Sequence, residues 1–173
     1  MNLSRRSFLV AGACASPVLG LKVARAQADI WQEYRRDDVG FRIEMPGEPR
    51  IRVEKGDPQD TWTTSTDAQV HYQHEVFDVS WTEFKDIASA EEEYTRFREM
   101  MNRAGYQIED EISLTLNDLP AREFIIERGN INLVRRIVAV RNLVIGIHAT
   151  GGRNLHNSQS VRRFLDSFRL LRA

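Results

Sequence analysis

The stretch AREFIIERGNINLVRRIVAVRNLVIGIHAT, positions 121–150, decides the fold. It holds three strand-length runs rich in β-branched residues: 121–128, 131–140 and 143–150. Gly129-Asn130 separates the first two and Arg141-Asn142 the last two. Two residues suffice to turn an antiparallel hairpin, whereas parallel strands need a long crossover. The stretch therefore predicts an antiparallel meander. Its last run is nearly all apolar, as expected of a central strand covered on both faces. Gly151-Gly152 closes that strand, and a further strand over 106–116 precedes the meander, joined to it through Asn117-Asp118-Leu119-Pro120.

Outward from this meander lie two helices. The clearer one spans 89–104. Ser89 is the N-cap, and Glu92, three residues on, fits a capping box. Glu91, Glu92 and Glu93 set negative charge against the positive end of the helix dipole. Ala90, Tyr94, Phe97, Met101 and Ala104 form the apolar stripe, Glu92–Arg96 and Glu99–Arg103 are exposed i,i+4 pairs, and Gly105 ends the helix. A final helix is capped by Asn157 or Ser158 and buries Val161, Phe164, Leu165 and Phe168. The residues before the first helix read as strands. Phe41, Ile43 and Met45 share a buried face, and Ile51 and Val53 resume the alternation after Pro46-Gly47-Glu48-Pro49. Residues 61–66 are β-rich, with a turn expected at Asp67-Ala68. Residues 70–81 form one long strand whose alternation changes phase, which implies a bulge near Glu75-Val76. The result is an α+β domain: a largely antiparallel sheet with packed helices.

The first 28 residues read differently. Ser4-Arg5-Arg6-Ser7-Phe8-Leu9 resembles a twin-arginine export signal, with Arg5, Arg6, Phe8 and Leu9 as its recognition residues. The apolar stretch that follows is broken by Gly12, Ser16, Pro17 and Gly20, too short to span a bilayer that needs about 20 apolar residues. Ala24-Arg25-Ala26 and Ala26-Gln27-Ala28 both fit small-x-small cleavage, with cleavage after Ala28 favoured. A lipid anchor on Cys14, the single cysteine, would lack the usual preceding Leu. The expectation is a signal peptide over 1–28 and one domain over 29–173, transported folded to the periplasm and touching the inner membrane only during export.

Without that signal, 145 residues remain, carrying 20 basic and 25 acidic side chains. The length suits a single core built by packing, with no disulfide, cysteine nucleophile or thiolate metal site. The net negative charge argues against nucleic acid as a partner.

Two local patterns carry a family resemblance. Gly40-Phe41-Arg42-Ile43-Glu44-Met45-Pro46-Gly47-Glu48-Pro49 resembles the opening strand of PsbP-like proteins, and Phe164-Leu165-Asp166-Ser167-Phe168 resembles their C-terminal helix ending. The order of elements is similar across most of the chain beyond the signal. The resemblance implies an α/β/α sandwich around an antiparallel sheet, in a family of mostly accessory and binding proteins. It transfers no functional residue, because both patterns are structural.

No motif of catalysis stands out. His71 and His74 fall on opposite faces of a strand, His148 lies in an apolar strand as a buried structural residue, and His156 sits in a loop. These show no metal-ligand spacing, so neither a metal nor a cofactor is expected. Nucleophile-elbow and phosphate-loop motifs are absent. Gly151-Gly152-Arg153-Asn154 reads as a plain strand-to-helix loop, and Glu109, Asp110 and Glu111 as a solvated strand edge. Arg135 and Arg136 point to opposite faces, and Trp62 and Trp81 are core aromatics. The expected function is that of an exported, non-enzymatic binding or accessory protein acting on a periplasmic or envelope protein. Two alternatives stand beside it: a hydrolase with a non-local site, and a carrier of a small apolar ligand in a cavity near Phe97, Met101 or Phe124.

Overall fold

The computed structural model describes residues 31–86 and 89–171. The expected export and cleavage residues, Arg5, Arg6, Phe8, Leu9, Ala26 and Ala28, lie outside the described residues. The elements run β1 (Gln32–Arg36), β2 (Phe41–Met45), β3 (Arg50–Lys55), β4 (Trp62–Tyr72), β5 (Glu75–Phe84), α1 (Ala90–Arg103), β6 (Gln107–Leu116), β7 (Leu119–Arg128), β8 (Ile131–Val140), β9 (Leu143–Gly151), α2 (Gln159–Ser167) and β10 (Arg169–Leu170).

The main sheet has the order β3-β4-β5-β9-β8-β7-β6, antiparallel throughout. Its topology follows from two meanders. The chain enters at the β3 edge, works inward to β5, crosses through α1 to the far edge at β6, and works inward again. The apolar strand β9 thus arrives in the middle, paired to β5 and β8, with Val144 to Ile147 buried in succession. A small second sheet has the order β1-β2-β10.

Helix α1 covers one face of the main sheet, packing Tyr94, Phe97 and Met101 on Phe124, Ile126, Ile137 and Val144. On the other face, α2 and the small sheet bury Phe41, Ile43, Met45, Phe164 and Phe168 against Phe77, Val79, Ile145 and Ile147. The α+β class, the antiparallel sheet and the α/β/α layering expected from the sequence are those of the molecule.

Both helix ends follow local chemistry. Ser89 Oγ accepts the Glu92 N–H at 3.4 Å. At the other end Gly105 has φ +74°, its N–H reaches the Asn102 carbonyl, and the Tyr106 N–H reaches that of Met101. That pair of bonds is a Schellman ending, which favours glycine at the left-handed position. Arg96 pairs with Glu93 rather than with the expected Glu92.

Two local expectations are corrected. Asp67-Ala68 does not turn; it lies inside β4, where Ala68 is fully buried between Ile51 and Val79. Ladder bonds on both sides hold this segment extended against the turn preference of Asp. The phase change in 70–81 is no bulge but a chain reversal at Gln73-His74, with Gln73 at φ 54° and Tyr72 facing Glu75. Across a two-residue hairpin, residues three apart share a face, which shifts the alternation as observed.

Candidate functional site

The adjacent arginines of β8 separate to opposite faces and meet opposite fates. Arg136 enters the α2 side. Its Nε donates to Glu123 Oε2 at 2.6 Å, one Nη to the Leu165 carbonyl at 2.7 Å and the other to Asp166 Oδ1 at 2.7 Å. Arg162 donates to the second Glu123 oxygen at 2.8 Å. Glu123 is only 2% exposed, and each of its oxygens has a donor. This network is structural: it bolts α2 to β7 and β8.

Arg135 projects to the α1 side, and no carboxylate is within ion-pairing distance of it among the described residues. Its guanidinium lies 5.0 Å from the Phe97 ring centroid, and its Nε is buried without a hydrogen-bond partner. Room for it comes from Gly146 on β9. A Cβ added there would sit 2.5 Å from an Arg135 Nη and 3.0 Å from Ser80 Oγ. The glycine of the apolar β9 run thus lets a long cation lie across the strand.

Register brings other polar groups to the same place. Asp78 of β5 faces His148 of β9, and His148 faces Arg135 of β8. Asp67 and Gln69 of β4 lie opposite Ser80 and Asp78. Helix α1 packs chiefly over β6, β7 and β8, so this part of the face is a polar recess beside the helix. The His148 side chain keeps 20% of its exposure against 5% for Asp78, so solvent reaches the recess from the His148 side.

The electrostatics are unusual. Burial, reinforced by the charge of Asp67, pushes Asp78 up to about 7, although Arg135 and a hydrogen bond from Gln69 oppose the shift. Burial and then Arg135 push His148 down to about 3. The imidazole is therefore neutral at physiological pH. Its Nδ1 lies 3.5 Å from Asp78 Oδ1, yet both atoms are buried and unpaired. Burial lowers the Arg135 pKa too, while Asp78, Asp67 and Glu93 counteract it. Buried polar atoms in folded proteins nearly always have partners. Three of the four orphaned side-chain atoms among the described residues gather here.

Ser80 Oγ donates to the Gly146 carbonyl at 3.4 Å, and no hydrogen bond joins it to His148 among the described residues. A nucleophile needs its base within hydrogen-bond reach.

The remaining sequence candidates fall elsewhere. His148, expected to be buried and hydrogen-bonded, is half-buried, and its Nδ1 has no hydrogen-bond partner. His71 is exposed and contacts Gln69 Oε1 at 3.1 Å; His74 lies in the hairpin turn. His156 lies in a short 3-10 turn before α2. Glu111 takes Arg98 and Arg122 as partners, which hold its carboxyl at about 2. No cluster of three or more metal-ligating side chains occurs among the described residues. Phe97 and Phe124 stand edge to face, ring centroids 4.9 Å apart, so packed rings fill the place suggested for an apolar ligand. An open cleft of about 570 Å³ between the turns at 37–40 and 141–142 holds none of the orphaned atoms.

The fold is similar to that of cyanobacterial PsbP (CyanoP) from Synechocystis sp. PCC 6803, at 12% identity over 92% of this chain and 98% of that one, with a TM-score of 0.53. A Pseudomonas aeruginosa protein of unknown function is similar at 12% identity over 71% of this chain and 83% of that one, with a TM-score of 0.38. The likeness to PsbP establishes a PsbP-like fold and nothing finer. No family model and no curated protein matches the chain.

Proposed function

We propose that the protein crosses the inner membrane by the twin-arginine route and works in the periplasm as an accessory binding protein, holding an acidic side chain of a periplasmic or envelope protein at Arg135. The observation that carries this reading is a guanidinium positioned over the Phe97 ring with its buried Nε left without a hydrogen-bond acceptor. An enclosed charge is costly unless paired, and a guanidinium fork matches a carboxylate in two-pronged geometry. A partner's Asp or Glu supplies the missing acceptor. Asp78, Asp67 and Glu93 already act on Arg135, so a singly charged carboxylate suits the site better than a dianion. Asp78, near its midpoint at neutral pH, can hold a proton and donate it in a hydrogen bond to the incoming group. Export rests on the Arg5-Arg6 signal, and the accessory role on analogy of fold.

The test is photo-crosslinking in intact cells from a reporter at His71, an exposed position on the recess side of β4. The wild-type protein is expected to give a discrete adduct. Arg135→Met should weaken it roughly ten- to a hundredfold, the worth of a charge-assisted hydrogen bond. Gly146→Ala, which displaces the guanidinium while keeping it, should weaken it less. An adduct of undiminished intensity in a folded Arg135→Met protein refutes the reading.

A further inference from the structure

The two edges of the main sheet are unlike. At the β6 edge the ladder is broken by an irregularity between Ile108 and Asp110, and acidic residues 109–111 crowd it. These are ordinary devices against edge-to-edge pairing; β3 also carries charges, at Arg50, Arg52, Glu54 and Lys55, but no break in its ladder. The β3 edge has a regular register with β4 over all six residues, and every residue is exposed. Ile51 and Val53, at 48% and 57% exposure, continue the apolar face that holds Ala68 and Val79. Arg52 and Glu54 lie on the opposite, α1 face, where they form an exposed ion pair with each other within the strand.

The outward hydrogen-bonding groups can be assigned. The Gly56 N–H donates to the Thr63 carbonyl at 3.0 Å, in register with Lys55 opposite Thr64. Antiparallel residues alternate between bonding their neighbour and pointing away. Residues 50, 52 and 54 therefore bond β4, and Ile51, Val53 and Lys55 aim their N–H and C=O groups at the open edge.

We infer that β3 is the interface of a homodimer, pairing antiparallel with β3 of a second copy about a two-fold axis at Val53. A two-fold axis normal to the sheet keeps faces matched and sets residues of equal parity opposite each other. With Val53 opposite Val53 of the second copy, Ile51 falls opposite Lys55 on both sides, so all three outward-pointing residues of each strand are bonded. Arg52 then falls opposite Glu54 twice, in the non-hydrogen-bonded pairs where side chains come closest. Shifting the axis to Arg52 sets Arg52 against Arg52, and shifting it to Glu54 sets Glu54 against Glu54. Only the Val53 register joins full bonding, opposite charges and apolar contact. The occupant it selects is a second copy of this chain.

The test uses purified protein and light scattering over a concentration series. A dimer is expected. Arg52→Glu alone and Glu54→Arg alone should each shift it to monomer by at least about tenfold in dissociation constant, since like charges then face each other. The double exchange R52E/E54R should restore the dimer. Independently, Val53→Cys should form a disulfide-linked dimer, because paired Cα atoms at about 5.5 Å lie within disulfide range. A monomer at every concentration, or a dimer indifferent to all three charge variants, overturns the inference. Capture of another protein's strand in its place, with no self-association, overturns it too.

Discussion

At the residue scale, Asp78 and His148 tie the recess to pH with opposite signs. Asp78 has a folded pKa of about 7 against 3.8 for the free side chain, so it binds more protons folded than unfolded. Its contribution to stability therefore falls as pH rises through that window, and the cost is complete above about pH 7. His148, at about 3 against 6.5, binds fewer protons folded, so its contribution rises with pH over its own window. The two slopes oppose each other between about pH 4 and 6.5. Asp78→Asn removes the first and keeps the shape. It is expected to stabilise the protein by about 2 kcal/mol at pH 8, with the gain fading towards about pH 4, in paired denaturant titrations. A gain independent of pH would place the cost of Asp78 in packing rather than charge. Arg135 and His148 were both visible in the sequence as polar residues of apolar strands. Asp78, two residues before Ser80 in an ordinary alternating strand, carried no local mark; its partner lies on β9, 70 positions on.

At the scale of elements, α2 is held by more than its apolar face. The Arg136 guanidinium bonds the Leu165 carbonyl at the end of the helix and shares Glu123 with Arg162. Removing one member leaves a buried charge short of its partners. Arg136→Ala is therefore expected to cost about 3 kcal/mol in urea unfolding. Arg163→Ala on the exposed side of α2, where its ion pair with Glu44 lies at the surface, should cost less than about 1 kcal/mol. If the two variants were equally stable, the buried network would not be what fixes the helix. Helix α1 was legible to its caps, because Ser89, the glutamates of its first turn and Gly105 act within a few residues. The hairpin at Gln73-His74 was not. Gln73, which takes the left-handed conformation, has no preference for it, and the pairing of Tyr72 with Glu75 imposes it.

At the scale of the whole molecule, the proposed export signal and the fold occupy separate parts of the chain. Replacing Arg5 and Arg6 together by Lys keeps the charge and removes the paired guanidinium groups. Precursor is expected to accumulate in the cytoplasm on fractionation and immunoblotting, and normal export of that variant would exclude the twin-arginine route. The domain's α+β class, its antiparallel sheet, its two helices and the central place of β9 were written in the sequence alone. Each depends on periodicity, capping and turn residues, interactions that reach only a few positions along the chain. Which edge of the sheet is guarded, which of two adjacent arginines is paired, and which aspartate meets His148 were decided by the tertiary structure alone. These depend on strand order and register, set by hydrophobic burial over the whole domain, which places residues from distant segments a few ångströms apart.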